Sequence, residues 1–442
     1  MRTDEKMTVE ERKKYLRAMQ KRYKEAGRTG RSKLLDEMEA VTGLHRKSLV
    51  RLMSSMIIRK TRQKQRGKKY GYEIEEAIRV IARSMDYPCA ERLQPGLGRM
   101  ADHLVRHNEL KISMETRQKL DEISISTVQR RMEAIHSERK LPPRRVQQSN
   151  RILRKVPTSR IDWNEQEPGH FEVDSVHHCD NSASGQYVHT LQMIDVATGW
   201  SERVAVLGRS YAVMEDGFER ILARLPFAVK EIHPDNGSEF FNDHMMKFWY
   251  GSVSDVRLSR SRPWQKNDNR FVEQKNDTLV RAYLGYRRLD TIEQTRLCNI
   301  LYDLMWLYYN FFQPVMRLSK KEYLPSTEKR TRIKRHFDTA KTPFERLVEK
   351  NALDEQTLSR LRSLYDQTNP IKLRDQIYDL IFLLLNLPTH SSETPLNVLD
   401  TIGLWKCGQQ ADPHFHRLDD DDGLYSSLFQ LLYLDRKECF AR

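Results

Sequence analysis

The chain has 442 residues, enough for about two to four domains, and it carries 76 Lys and Arg against 61 Asp and Glu, a formal net charge of +15. Residues 1–70 hold 22 of the basic and 8 of the acidic residues, which favours a polyanionic partner: nucleic acid or, alternatively, an anionic membrane surface. A mean hydropathy of −0.73 without a long uncharged span argues against a membrane protein or a secretory leader. Five cysteines without a Cys-x-x-Cys pair favour a reducing cytoplasm over a disulfide frame or a zinc ribbon.

Residues 1–68 are predicted to form a helix-turn-helix DNA-binding domain. Two short helices, 32–40 and 45–53, flank a turn that contains Gly43. Basic and hydroxyl residues open the second helix, at the end that enters the DNA groove in this motif. The predicted DNA contacts are Arg46, Lys47, Ser48 and Arg51. The alternative is a small helical bundle with a solvated basic face.

Two further segments follow. Residues 69–138 are predicted to form a second helical, helix-turn-helix-like domain whose helix 123–132 presents Gln129, Arg130 and Arg131 to DNA. Residues 139–164 are predicted to be a basic linker, since eight Lys or Arg and no acid lie between Arg139 and Arg160. Arg144 and Arg145 in this linker are expected to contact phosphates, although a solvated tether is the alternative.

From residue 165 the hydrophobic pattern changes from helical spacing to that of strands. Strands at 170–174, 187–195 and 200–206 are separated by turn-rich segments and predict an antiparallel meander. Helix 211–225 then leads to a fourth strand at 228–232, which a crossover makes parallel to a neighbour. With a short strand at 256–259 and a helix at 267–280, residues 165–325 predict an α/β ribonuclease H-like catalytic core, a mixed five-stranded sheet with flanking helices. Residues 326–442 are predicted to be a C-terminal helical region.

Three acids stand out by location: Asp174 on the first strand, Asp235 after the fourth, and Glu273 in the helix that follows. In a ribonuclease H-like sheet the first and fourth strands are neighbours, so these acids are expected to converge. Three carboxylates suit Mg²⁺ or Mn²⁺, and two such ions ~3.5–4 Å apart can promote displacement at phosphorus. Each acid taken alone is more simply a turn or cap residue, because carboxylates are common in this region.

Three segments resemble the core of insertion-sequence transposases with a retroviral-integrase-type DDE domain. They are EVD at 172–174, HPDNGSEF at 233–240 and SRPWQKNDNRFVEQKN at 261–276. The family has a catalytic glutamate about thirty-five residues after its second aspartate, and here 37 residues lie between Asp235 and Glu273. Two further departures are Asp277 and Val280, which stand where retroviral integrases carry lysines, and the lack of a His-His-Cys-Cys zinc bundle.

The resemblance implies a bacterial, cytoplasmic and nucleoid-associated enzyme that cleaves the 3′ ends of a mobile element and joins them to target DNA. Asp174, Asp235 and Glu273 would bind two Mg²⁺ (or Mn²⁺) per active site. The implied partners are double-stranded DNA, both terminal inverted repeats and target, and further copies of the chain in a homodimer or higher multimer. Implied DNA contacts near the site are Asn236, Asn267, Asn269, Arg270, Lys275 and Asn276. The alternatives are an inactive transposase-derived DNA-binding protein and a ribonuclease H-like nuclease.

Overall fold

The computed structural model describes residues 7–57, 70–135, 165–234, 240, 242–259, 269–324, 332–390, 396–403 and 405. The chain divides into two compact units, Met1–Lys69 and Tyr70–Arg442. The first boundary expected from the sequence, after residue 68, lies next to this division, whereas residues 70–135 share a unit with the sheet. Among the described helices, none has the length and apolar character needed to cross a membrane.

The described part of the first unit contains three helices, α1 (Val9–Glu25), α2 (Arg28–Thr42) and α3 (Arg46–Ser54). Thr8 and Glu11 form a capping box that starts α1, which satisfies backbone N–H groups that no helical carbonyl can reach. Gly43 ends α2 in the left-handed conformation at φ 67°, a backbone state that glycine adopts without strain. The buried core of this unit is Leu16, Met19, Leu35, Met38, Leu49, Met53 and Ile57.

The second unit begins with five helices that pack on one another through apolar stripes. They are α4 (Tyr72–Ser84), α5 (Ala90–Leu93), α6 (Leu97–Arg106), α7 (Met114–Glu122) and α8 (Ile125–Ile135). Their buried residues belong to the same apolar core as the sheet.

A five-stranded sheet forms the centre of this unit. Its strands are β1 (His170–His177), β2 (Val188–Asp195), β3 (Ser201–Leu207), β4 (Glu231–Pro234) and β5 (Arg257–Leu258). The spatial order is β3-β2-β1-β4-β5; β1, β2 and β3 are antiparallel, whereas β4 is parallel to β1 and β5 to β4. The predicted mixed five-stranded sheet is therefore confirmed.

Helices cover both faces of the sheet. They are α9 (Tyr211–Arg224), α10 (Asp243–Ser252), α11 (Arg270–Lys275), a π-helical segment (Asn276–Arg281), α12 (Ala282–Leu284) and α13 (Ile292–Phe312). On one face, α9 comes close to β2 and β3 at Gly217, where an added Cβ would lie 2.8 Å from a Val206 methyl carbon. Most residues of α13 are buried, including the polar Gln294, Asp303 and Asn310.

The region after α13 differs from the helical tail that the sequence predicts. It begins with a β-hairpin, β6 (Leu318–Leu324) and β7 (Arg332–Phe337), and continues as α14 (Pro343–Glu349), α15 (Glu355–Gln367) and α16 (Pro370–Asn386). The prediction missed the hairpin because its strands are short and charged. Helices nevertheless account for most of the described structure.

A buried aspartate joins the early helices to α16. Asp86 is 5% exposed and adopts a positive φ of 56°. Its carboxylate accepts hydrogen bonds from Tyr283 (3.0 Å), Tyr378 (2.9 Å) and Arg374 (3.2 Å). Removal of a buried, paired carboxylate of this kind leaves uncompensated partners, so this contact fixes residues 70–135 against the rest of the unit.

Candidate functional site

One face of the sheet carries a row of polar residues. Asp174 pairs with Gln192, and Gln192 pairs with Arg203, so the three side chains share a face. Gln192 and Arg203 are at most 1% exposed, and within the described part of the chain neither side chain has a hydrogen-bond partner. The Arg203 guanidinium lies 6.0 Å from the ring centroid of Tyr302 and 5.7 Å from that of Tyr309. This row is unusual, because buried polar groups are normally hydrogen-bonded.

The helix that carries Glu273 packs directly on the strand that carries Asp174. Asn276 lies three residues after Glu273, and its amide donates a 2.5 Å hydrogen bond to Asp174 Oδ2. The backbone N–H of Ser175 donates to Asp174 Oδ1 at 2.8 Å. Asp174 is half-buried and Glu273 is exposed. The structure therefore brings together the elements that bear two of the three predicted acids.

A second carboxylate on β1 fixes the start of this helix. Glu172 Oε2 accepts hydrogen bonds from the backbone N–H groups of Phe271 (2.7 Å) and Val272 (3.0 Å). These donors are in the first turn of α11, where no helical carbonyl is available to them. Burial raises the pKa of Glu172 to about 7 and outweighs the two hydrogen bonds, which act in the opposite direction. Glu172 thus anchors α11 to β1 two residues before Asp174.

Several basic side chains lie close to one another on the protein side of α11. The Lys275 ammonium lies 4.6 Å from the Tyr309 ring centroid, so this side chain packs on the protein. Burial, together with the neighbouring Arg92, Arg203 and Arg317, lowers the pKa of Lys275 to about 7. Burial also lowers the pKa of Arg203 to about 10.

The third acid follows β4. Within the parallel pair of β1 and β4, Pro234 is opposite Val173, the residue before Asp174. Asp235 is the next residue of the chain after Pro234 and lies outside the described residues, as do Asn236 and Asn267. Among the described residues there is no group of three potential metal ligands; that set contains only two of the three predicted acids.

The remaining contacts predicted for this region face the protein. Asn269 is 5% exposed, and the Arg270 guanidinium lies 4.4 Å from the Phe271 ring centroid. Lys275 packs on Tyr309, and Asn276 is engaged by Asp174. In this arrangement the four side chains contact other protein groups next to the site.

The predicted DNA-reading residues of α3 divide into two groups. Lys47, Ser48 and Arg51 are exposed on the surface of the helix. Arg46 instead forms an ion pair with Asp36 and donates a 2.7 Å hydrogen bond to Ser32 Oγ. Arg46 therefore joins α3 to α2, and the exposed residues are those available to a partner.

Helix α8 shows the same division. Gln129 and Arg130 are exposed, although Arg130 Nε donates to the Ser126 carbonyl at 3.1 Å. Arg131 forms an ion pair with Glu75 on α4, so it has a structural partner. Arg144 and Arg145 lie outside the described residues.

Three polar residues of this site were not predicted from the sequence: Glu172, Gln192 and Arg203. A signal was available, since Gln192 and Arg203 both lie inside predicted strands, each with an apolar residue next to it. A polar residue at an inward strand position is costly unless it has a partner or a role. Its cross-strand neighbours, however, depend on a register that the pattern alone does not give.

Fold and site together define an α/β protein with an acidic site where the central strand β1 meets β4 and α11. The chain belongs to the same family as uncharacterized protein y4rM of Sinorhizobium fredii (strain NBRC 101917 / NGR234). The two are 35% identical over 318 residues, which cover 72% of this chain and 90% of that protein. No family model matches the chain.

A similarity to a solved structure was also found. It is to a chain in the electron cryo-microscopy structure of the simian T-cell lymphotropic virus intasome in complex with PP2A regulatory subunit B56 gamma, at 16% identity and a TM-score of 0.25. The match covers 38% of this chain and 55% of that chain, little more than half of its length. A likeness of this size establishes neither fold nor function.

Proposed function

We propose that this chain is a DDE transposase or integrase, which cleaves the 3′ ends of a mobile DNA element and transfers them to target DNA in a Mg²⁺-dependent reaction. The observation that carries the proposal is the hydrogen bond from Asn276 to Asp174. It joins the helix of Glu273 to the strand of Asp174, although 99 residues separate the two acids in sequence.

We infer further that the sheet is ribonuclease H-like. In that fold the first and fourth strands are neighbours, and here β4 pairs with β1. The register supports a third acid at the same place, because Pro234 is opposite Val173 and Asp235 follows Pro234. A conserved fold by itself does not specify function, so the proposal depends on the acids.

The donor set fits hard divalent cations, because all three proposed ligands are carboxylates and at least Glu273 is open to solvent. Asp174, Asp235 and Glu273 would hold two Mg²⁺ or Mn²⁺, which supply activation of the attacking oxygen and stabilisation of the leaving one. Asn276 and the Ser175 N–H each occupy one oxygen of Asp174 and so fix the plane of its carboxylate. Glu172 holds the first turn of α11 in place and thereby positions Glu273.

The N-terminal unit is the proposed reader of the element ends. Lys47, Ser48 and Arg51 form an exposed basic and hydroxyl face on α3, which suits contact with phosphates and base edges in a major groove. We expect Lys47→Ala and Arg51→Ala to weaken DNA binding and its salt dependence. Arg46→Ala should lower the stability of the unit, because it removes the link to Asp36.

The test is an in vitro reaction with the full chain and duplexes that end in the inverted repeats flanking its gene. We expect nicked 3′ ends and joined products with Mg²⁺ or Mn²⁺, and neither with EDTA. Asp174→Asn, Asp235→Asn and Glu273→Gln should each reduce both products to background, since each removes a charged oxygen ligand. Asp255→Asn is the matched control: Asp255 is exposed and its positive φ of 56° is one that Asn tolerates.

The products also separate the competing functions. Cuts without joined products would replace the proposal with a ribonuclease H-like nuclease. DNA binding without cuts in the presence of metal would indicate an inactive, transposase-derived DNA-binding protein.

A further inference from the structure

The hairpin of β6 and β7 is strongly basic and structurally isolated. Residues 317–337 contain eight Lys or Arg and two Glu. The two strands form a sheet of their own, and no other strand of the described chain pairs with either. We call β6 and β7 together the basic ribbon.

The register of the basic ribbon offsets only part of its charge. Glu322 is opposite Lys334 and contacts His336 at 2.9 Å. Lys320 and Arg335 have no acidic cross-strand partner. An isolated two-stranded hairpin is also only marginally stable in water. The ribbon therefore retains an uncompensated positive charge that a polyanion would neutralise.

The side chains that carry this charge face solvent. Lys320, Lys334 and Arg335 are all exposed, and no ion pair within the described part of the chain involves them. The basic ribbon thus offers cations on both strands.

Several hydrogen bonds hold the base of the ribbon. The Arg317 N–H donates to Asp338 Oδ1 at 2.7 Å, which connects the two strand ends. Arg346 on α14 donates to Asp338 Oδ2 at 2.7 Å and to the Val315 carbonyl at 2.9 Å. An isolated bridge between Val315 and Lys341 closes the same base. These contacts attach the ribbon to the unit that contains the sheet.

We propose that the basic ribbon is a second DNA-binding element, which contacts the phosphates of duplex DNA through Lys320, Lys334 and Arg335. A two-stranded β-ribbon fits the B-DNA major groove, which is about 12 Å wide. Six residues at about 3.3 Å each extend about 20 Å, enough to follow several base pairs. This inference rests on the proposed function only because it takes DNA as the partner. It adds a DNA-binding element to the unit that contains the sheet, besides the one proposed in the N-terminal unit.

The test measures binding of the full chain to a mixed-sequence duplex in EDTA, so that no catalysis takes part. Fluorescence anisotropy over a series of KCl concentrations gives the slope of log K against log salt. The test variant is the triple substitution Lys320→Ala, Lys334→Ala and Arg335→Ala.

The matched control also removes two lysines and one arginine, in Lys111→Ala, Lys247→Ala and Arg362→Ala. These three residues are exposed and lie on separate parts of the same unit. Because each phosphate contact contributes about 0.9 to the slope, we expect the ribbon variant to lower its magnitude by roughly 2 to 3 and the affinity by at least tenfold. The control should leave the slope unchanged.

A proximity measurement guards against misfolding of the triple variant. Lys334→Cys should exchange with a duplex whose tethered sulfur is activated as a mixed disulfide, forming a protein–DNA disulfide and releasing the activating thiol, whereas Lys247→Cys should react no faster than the wild-type chain. A slope equal to that of the control, with no preferential cross-link at position 334, would overturn the inference and leave the proposed function standing. A change in self-association by sedimentation with an unchanged slope would also overturn it, in favour of a protein interface. Failure of the wild-type chain to bind duplex at all would remove both proposals.

Discussion

Glu172 offers a sharp test of how α11 is held on the sheet. Its single oxygen Oε2 accepts from the backbone N–H groups of both Phe271 and Val272, and the residue is 1% exposed. Glu172→Ala removes that acceptor and leaves two donors without their partner. Each unpaired buried donor costs about 1–3 kcal/mol. Part of this loss is offset because the buried carboxylate itself is disfavoured, as its raised pKa of about 7 indicates.

We therefore expect a net local destabilisation of about 2 kcal/mol, which corresponds to roughly a 30-fold larger opening constant. Hydrogen exchange followed by mass spectrometry on peptides that cover residues 269–284 measures this opening directly. Glu172→Gln keeps one carbonyl oxygen that can accept both N–H groups, so its cost should stay below about 1 kcal/mol.

Glu133→Ala makes the same chemical change at an exposed position and serves as the control. If exchange in residues 269–284 were equal in Glu172→Ala and in the wild-type chain, the two hydrogen bonds would not hold the helix and the positioning role would be lost. A loss as large in Glu172→Gln would show that the charge, rather than the acceptor, is responsible.

Two further predictions concern stability. Gly217→Ala places a Cβ 2.8–3.1 Å from side-chain carbons of Val206, Leu191 and Val204. It should destabilise the sheet unit by about 1–3 kcal/mol in urea unfolding. The control Gly251→Ala, whose added carbon meets no atom within 4 Å, should be neutral or stabilising, and equal effects of the two substitutions would refute the close packing of α9. Burial lowers the pKa of His103 from 6.5 to about 4. Because the unfolded chain then binds the proton at a higher pH than the folded chain, the free energy of unfolding should fall as the pH drops from 6.5 towards 4. His103→Gln should flatten that part of a stability-versus-pH curve, and an unchanged curve would contradict the prediction.

The elements that the sequence predicted well have local signals. Helix α3 begins beside His45, whose side chain accepts from the Lys47 N–H, and a glycine ends the helix before it. The strands β1 to β3 are bounded by turn-rich segments. Such features depend on neighbours a few residues apart, which a pattern can detect.

Other elements lack a local signal. Helix α13 is buried around most of its circumference, since it packs against the sheet, α14 and α16, and it therefore shows no clear amphipathic period. The basic ribbon is short and charged, a composition that predicts solvated loop as readily as strand. The helix predicted over 267–280 contains a π-helical segment at Asn276–Arg281, which no propensity indicated.

The sequence by itself determined which residues are proposed to carry the chemistry: the acids Asp174, Asp235 and Glu273 were chosen from their places on predicted elements and from a motif. Only the tertiary structure decided the setting of Asp174 and Glu273. The pairing register placed Gln192 and Arg203 in one row with Asp174. Helix packing brought the Asn276 amide to the Asp174 carboxylate and the first turn of α11 to the Glu172 carboxylate. The physical reason is that side-chain type is written in the chain one residue at a time, whereas a hydrogen bond between residues about 100 positions apart exists only once strand pairing and helix packing have brought them within 3 Å.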